Sequence, residues 1–345
     1  MQQTIPKMVF ERIEHFAQQA VMRQKINGSY QAISWQQFGS RINDYAAALL
    51  GLGLKPEQQV AILSPNCPEW ACADLAIMSI GGRTVPIYHT EGIKTILHIL
   101  ADSQCQFLFT HSLLLAEDIL SHQQRCPQLQ KIILLEGRSK RTDILSLNSF
   151  LALGQPEFLA RVEGLRTQGH PQELATLVYT SGTTGKPKGA MLTHANILSN
   201  VDACCERFQV GPQDQCLSFL PLSHIFERTT GYYLMLHQGA TIAYAESIDT
   251  VATNLTEIKP TVIISVPRLY EKMYNRVLER VTTGPWLTKQ LFFFALLIGK
   301  AKVTRNQRGL PATPMQRTLL KFFDKLIFSK IKARLGGKLR ILISG

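Results

Sequence analysis

The 345-residue sequence predicts an α/β fold in which helices cover largely parallel sheets. Two observations carry that prediction. Short segments such as 60–63, 107–110 and 131–135 are apolar on both faces, as strands buried on both sides are. Between them run stretches with helical spacing, so strand and helix alternate as a parallel sheet requires. Composition agrees: 45% hydrophobic and 18% charged residues describe a globular chain rather than a disordered one.

Taken in order, residues 9–50 read as a hairpin-like piece, with strand alternation over 29–35, followed by a helix. Ser34 is placed to cap that helix, Phe38, Ile42, Tyr45, Leu49 and Leu50 give it an apolar face, and Gly51 and Gly53 end it. A short buried strand follows at 60–63. Residues 65–70 turn into a helix closed by Gly81 and Gly82, and 84–88 is strand-like. Next come a helix near 91–101, a strand at 107–110, a helix near 112–125 and a strand at 131–135. The stretch 136–173 is the least patterned and reads as a surface connection. Residues 174–179 are apolar and β-branched, as a buried strand is, and Thr193 can cap a helix beginning near His194.

Further on, one strand ends at Pro221 and another occupies 262–266. Pro267 then opens a helix with Leu269, Met273 and Val277 on one face. Residues 291–299 are apolar all round; as a helix they span about 13 Å, under half a hydrocarbon core. They read as a buried helix, or as a segment laid in a membrane interface between its basic flanks Lys289 and Lys300. From Met315 a helix carries Leu319, Phe322, Phe323, Leu326, Ile327, Ile331 and Leu335 on one face and stops at Gly336-Gly337. A last strand covers 339–345. No crossover helix follows it in the sequence, so apolar surface near 339–343 is expected to be exposed.

The net charge of +12 is unevenly placed. Residues 1–267 hold 20 Lys/Arg against 22 Asp/Glu, whereas 268–345 hold 17 against 3. A block of +14 suits an anionic lipid surface, a nucleotide or CoA, or an acidic surface elsewhere in a longer protein. Nucleic acid is not an expected partner. No apolar run reaches the roughly 18 residues of a membrane span, and the N-terminus lacks a signal peptide's basic start and apolar core. The seven cysteines form no Cys-x-x-Cys pair and no zinc spacing, so buried thiols in a reducing cytoplasm are expected.

The chemistry is concentrated in Tyr179-Thr-Ser-Gly-Thr-Thr-Gly-Lys-Pro-Lys-Gly189. Three glycines let backbone N–H groups turn inward, four hydroxyls add donors, and two lysines supply charge. Such a loop suits a polyphosphate. It is not a Walker A loop, because Lys186 is followed by Pro187 rather than by Ser or Thr opening a helix. A second informative stretch is 217–228, which places His224 just past the carboxyl end of a strand, where open α/β sheets bind ligands. A lone histidine beside apolar residues can equally be a packed core residue.

The run 180–189 resembles the signature phosphate loop of the adenylate-forming superfamily: acyl-CoA synthetases, adenylation domains and luciferases. Residues 64–70, 85–90, 217–228 and 266–274 are similar to segments of long-chain fatty acyl-CoA synthetases. That resemblance implies the substrates ATP, a fatty acid and CoA, with Mg²⁺ as cofactor. It also implies roles for individual residues. Thr180 and the backbone at Ser181, Gly182, Thr183 and Gly185 would hold the β/γ phosphates. Lys188 would pair with them, and Thr184 would share Mg²⁺ with a glutamate outside this sequence. His224 would line the carboxylate and the approach of the CoA thiol, and Gly345 would touch the adenine edge. Some members carry a tryptophan gate where this sequence has Glu227-Arg228-Thr229, so such a gate is not expected.

On this reading 1–345 is an incomplete N-terminal AMP-binding domain, with its phosphate loop at 179–189. The C-terminal lysine-bearing domain is absent, and the chain is expected to be truncated and inactive. Peripheral contact with the inner face of an anionic membrane is expected through 286–340. Another adenylate-forming ligase, such as an aryl-CoA ligase, and a non-catalytic nucleotide- or lipid-binding remnant are the alternatives.

Overall fold

A computed structural model describes residues 3–180, 185–311 and 313–345. They form two compact units, 1–245 and 246–345. Strands of the first unit are β1 (Ala20–Ile26), β2 (Ser29–Ser34), β3 (Gln59–Leu63), β4 (Arg83–Pro86), β5 (Phe107–Thr110), β6 (Lys131–Leu134), β7 (Ile144–Ser146), β8 (Leu174–Thr180), β9 (Lys188–Thr193), β10 (Gln215–Ser218) and β11 (Thr241–Tyr244). One sheet of this unit runs β10-β11-β1-β2 and the other β7-β6-β5-β3-β4-β8-β9. Pairing is parallel except at β1/β2 and β8/β9, the two hairpins. The mostly parallel, helix-covered sheets anticipated from the alternating pattern are therefore present.

Local chemistry explains the boundaries. The β1/β2 hairpin turns at Asn27-Gly28, both at positive φ, as a two-residue turn matched to strand twist requires. The Ser34 hydroxyl accepts from the Gln37 amide while the Gln37 side chain accepts from the Ser34 amide, and this capping box starts the helix Trp35–Gly51. Thr193 and Asn196 do the same for His194–Arg207. Strands β3, β5 and β6 are buried on both faces. Their apolar side chains pack with those of the helices Ile93–Asp102 and Leu113–Ser121 into one core. All seven cysteines are free thiols, four of them buried.

Some expectations need correction. Residues 5–16 form a helix ahead of the hairpin, capped by Thr4 and started by Pro6, with Ile5, Met8 and Val9 buried. Ile5, Met8, Val9, Ile13 and Phe16 fall at helical spacing behind that cap, a pattern the hairpin reading passed over. The stretch 136–173 is not a plain connection: β7 extends the sheet, and the helices Leu147–Leu151 and Pro156–Gln168 follow it. β7 is a three-residue edge strand, too short to show alternation. The second helix buries only Val162 and is held instead by Arg166, which stacks 3.4 Å over the Phe10 ring and donates to Asn43 Oδ1 at 2.9 Å. The helix near 112–125 ends at Ser121, where a short 3₁₀ turn takes over.

In the second unit, β12 (Val262–Ser265) and β13 (Ile341–Ser344) pair in parallel. The helices Val251–Ile258, Pro267–Thr282, Trp286–Gln307 and Pro314–Phe323 lie between or before them. The last of these continues through a π-helical stretch, Asp324–Phe328, into Ser329–Arg334. Of the face expected from Met315 onward, Phe323 is buried while Phe322 and Leu326 are exposed. Residues 291–299 fall inside the 22-residue helix: Phe292, Ala295 and Ile298 are buried, Phe293 and Phe294 exposed. On β13, Leu342 is exposed, Ile341 half-buried and Ile343 buried, so the exposure expected near 339–343 is confined to one face of the strand. No helix among the described residues is long and apolar enough to cross a membrane.

Candidate functional site

The β8/β9 hairpin presents the Gly- and Lys-rich loop. Thr180 ends β8 opposite Lys188, the first residue of β9, and Tyr179 faces Gly189. Ser181, Gly182, Thr183 and Thr184 lie outside the described residues. Gly185 sits at φ +83°, in the left-handed region that costs a glycine little. Thr180, Lys186 and Lys188 are exposed, and among the described residues neither lysine has an ion-pair partner. Both roots of the loop are tied to one helix, Ile93–Asp102. The Tyr179 hydroxyl donates to Asp102 Oδ2 at 2.6 Å, and His98 Nε2 donates to the Pro187 carbonyl at 3.0 Å. Burial, with the Asp102 carboxylate beside it, pushes the Tyr179 pKa up and keeps it a neutral donor. The lysines therefore project from a fixed hairpin base.

His224 lies on the turn after β10, exposed, its ring edge-on to Tyr88 with 6.4 Å between ring centroids. Its Nδ1 accepts from the Phe226 amide at 3.2 Å, so neutral His224 carries its proton on Nε2. Asn66, past the carboxyl end of β3, builds the turn that leads to it. The Asn66 Nδ2 group donates to Ser218 Oγ (3.0 Å) and the Leu220 carbonyl (2.7 Å), and its Oδ1 accepts from the Leu222 amide (2.9 Å). Carboxyl ends of strands from both sheets thus meet: β3 through Asn66, β4 through Tyr88 and β10 through Ser218 and His224.

A buried ion pair joins that turn to the hairpin. Arg228 follows His224 by one helical turn, its amide donating to the His224 carbonyl at 3.0 Å. The side chain is fully buried. One Nη donates to Thr176 Oγ1 on β8 at 2.7 Å and the other to Asp74 Oδ1; Tyr233 donates to Asp74 Oδ2 at 2.8 Å. Burial pulls the Arg228 pKa down, but Asp74 outweighs it and holds the guanidinium above its usual range. The strand that leads into the Gly- and Lys-rich loop and the helix that follows His224 are therefore fixed to each other inside the core. The sequence reading missed this pair. The available signal was Asp74, a charge set within the apolar run 71–78 of its helix; Arg228, beside Glu227 and two threonines, gave none.

Glu227 is the second residue missed. It is buried on a π-helical stretch, Glu227–Tyr233, a form common at functional sites. Oε1 accepts from Ser218 Oγ at 2.8 Å, while Oε2 has no hydrogen-bond partner among the described residues. A Cβ at Gly231 would lie 2.4 Å from Oε1, so only glycine leaves room for the carboxyl. Burial raises the Glu227 pKa to about 8, against the Ser218 hydrogen bond, which lowers it. The group is thus protonated when folded and ionised when unfolded between about pH 4.5 and 8. Stability from this group is fully present below pH 4.5 and is lost as pH rises through 8. His194, lowered to about 4 by burial and by the nearby Arg228 and Lys7 charges, acts in the opposite sense, stability rising with pH from about 4 to 6.5. Comparing Glu227→Gln with the parent cancels the His194 contribution. The variant should gain up to a few kcal/mol relative to the parent between pH 5 and 9, measured by urea unfolding. A stability difference that is flat with pH would contradict a raised pKa.

Gly345 belongs to the second unit, where its amide donates to the Ser265 carbonyl at 3.4 Å. Thr184, the residue expected at Mg²⁺, lies outside the described residues. Among the described residues no three His, Cys, Asp or Glu side chains converge on a metal position, so they do not form a protein metal site by themselves.

A profile described as "AMP-binding enzyme" matches residues 10–345. The chain is 31% identical over 338 residues to "Long-chain-fatty-acid--CoA ligase 5" of Rattus norvegicus, covering 93% of this chain and 47% of that protein. It spans about half the length of the curated relatives it matches. Among solved structures it is similar in fold to the N-terminal domain of FACL13 from Mycobacterium tuberculosis (TM-score 0.66, 22% identity, 79% of this chain and 65% of that one). It is also similar to the anthranilate CoA ligase AuaEII in complex with anthranoyl-AMP (TM-score 0.69, 21% identity, 77% and 50%). With a profile matched along nearly its whole length and a mostly parallel fold shared with these structures, the chain belongs to the AMP-binding enzyme family.

Proposed function

We propose that this chain is the phosphate-binding part of an AMP-forming ligase that converts a long-chain fatty acid, ATP and CoA to acyl-CoA, AMP and pyrophosphate through an acyl-AMP. The observation that carries the reading is the Arg228–Asp74–Thr176 staple, which fixes the lysine-bearing hairpin relative to the His224 turn. A fatty carboxylate is ionised near neutral pH and needs no general base to attack the α-phosphorus. What the first step needs is two anions held together and their charge offset. In this proposal the loop backbone at 181–185 and Thr180 cradle the β/γ phosphates, Lys188 offsets their charge, and the exposed His224 lines the carboxylate and later the thiol approach. Gly345 touches the adenine edge. Mg²⁺ enters with the triphosphate, Thr184 contributing a hydroxyl.

The long-chain preference rests on the rat relative's name and on segments 217–228 and 266–274; AuaEII, by its name, acts on anthranilate, an aryl acid. The test is fatty-acid-dependent pyrophosphate release. The 345-residue chain alone is expected to give none, and the chain extended to its relatives' length should prefer palmitate to anthranilate by at least tenfold. A preference for anthranilate overturns the long-chain reading. Nucleotide binding without pyrophosphate release by the extended chain would favour a non-catalytic binding protein.

A cytoplasmic protein touching the inner membrane face through 286–340 fits the same proposal. Of eighteen exposed large apolar side chains among the described residues, fourteen lie in 246–345, the unit that carries the basic block. Association with anionic vesicles that weakens as salt rises is the expected behaviour.

A further inference from the structure

The second unit holds a groove of about 290 Å³, at the lower edge of the roughly 300–1,000 Å³ typical of ligand sites. Its floor is apolar: Val277, Val281, Phe292, Ile327 and Ile331. Three cations, Arg280, Lys330 and Arg334, line it as well, and no acidic side chain does. Helical spacing produces this pairing. On Pro267–Thr282, Val277 and Val281 are four apart with Arg280 between them. On the last helical run, Ile327, Lys330, Ile331 and Arg334 fall at i, i+3, i+4 and i+7. Each helix therefore turns an apolar stripe edged with positive charge toward the same cleft. None of the three cations has an ion-pair partner among the described residues, while the nearby Asp324 is engaged by Lys332.

We propose that this groove binds a single-chain amphiphile with a phosphate head group, its chain against the apolar floor and its head group against Arg280, Lys330 and Arg334. The charge count selects the head group. A phosphomonoester carries about −1.5 to −2, which three cations match better than the single charge of a carboxylate. Two of the three cations are arginines, whose planar fork suits phosphate oxygens. All of its lining residues belong to the second unit, whereas the hairpin and His224 belong to the first, and it binds one molecule rather than a bilayer surface.

The test titrates the whole 345-residue chain with dodecyl phosphate below its micelle concentration, following the fluorescence of Trp286. That residue opens the helix bearing Phe292 and is 72% exposed, whereas Trp35 and Trp70 are buried. Saturable one-to-one binding is expected, at least tenfold tighter than inorganic phosphate, dodecyl maltoside or dodecanoate. The R280E/K330E/R334E variant and Val281→Phe, which fills the floor, should each weaken it at least tenfold with unchanged circular dichroism. Equal binding of inorganic phosphate would reduce the groove to a charged patch and overturn the proposal. Equal binding of the maltoside, or variants that bind like the parent, would overturn it too, and equal binding of dodecanoate would overturn the phosphate head group. Salt-sensitive vesicle association is measured alongside. If it persists while dodecyl phosphate fails to bind, the groove is wrong and the membrane reading stands.

Discussion

Replacing Arg228 with methionine should destabilise the first unit by about 3–5 kcal/mol, the usual cost of leaving one buried charge without its partner. Arg228 and Asp74 are both fully buried, and the Asp74 carboxylate would keep only the Tyr233 hydroxyl among the hydrogen bonds described above. Thr176 would lose its donor from Arg228, although its own hydroxyl still donates to the Thr84 carbonyl at 2.6 Å. Desolvating two ions is expensive, so replacing both is far milder than replacing one. Arg228→Met with Asp74→Leu should recover most of the loss in urea unfolding. The recovered double variant then separates stability from positioning. If the pair aligns the hairpin with the His224 turn, nucleotide affinity should stay lowered even where stability is restored. A double variant with parental affinity would leave the pair a purely structural feature.

The second large effect concerns Lys188. In a chain extended to the length of its relatives, Lys188→Ala should lower ATP-dependent turnover about 10²–10³-fold, the range seen when one preorganised electrostatic contact is removed. Fatty-acid binding should be unchanged, because the lysine stands on the pyrophosphate side only. The exposed position of Lys188 on the first residue of β9, opposite Thr180, means that truncation removes charge without opening a cavity. Equal losses in ATP use and fatty-acid binding would contradict the assigned role.

Much of this was legible in the sequence because the signals were local. Ser34 and Thr193 cap where hydroxyls precede helices, Pro267 opens its helix, and strands buried on both faces announce themselves as apolar runs. The loop at 179–189 stands out as a candidate for the same reason, since its donors and charges are contiguous. What stayed hidden depends on partners distant in sequence. Arg228 reaches Asp74 across 154 positions and Asn66 reaches Ser218 across 152, and no periodicity reports such pairs. Glu227 stands where some relatives are expected to carry a tryptophan, and nothing local announces its burial, for which Gly231 leaves room one turn later. The strand β7 was missed because three residues gain their order from pairing with a neighbour rather than from a pattern of their own. The helix Ile5–Phe16 does carry one, Ile5, Met8, Val9, Ile13 and Phe16 behind the Thr4 cap, which the hairpin reading passed over.

The central claim is that the β8/β9 hairpin is a polyphosphate site. Competition at equilibrium on the 345-residue chain tests it most directly, with a fluorescent ATP analogue displaced in turn by pyrophosphate and by AMP, for the parent, Lys188→Ala and His224→Ala. The account predicts that pyrophosphate displaces the analogue from the parent more effectively than AMP does. Lys188→Ala should weaken pyrophosphate at least tenfold, and His224→Ala should leave it unchanged. Displacement by AMP alone, or pyrophosphate affinity indifferent to Lys188, would contradict it.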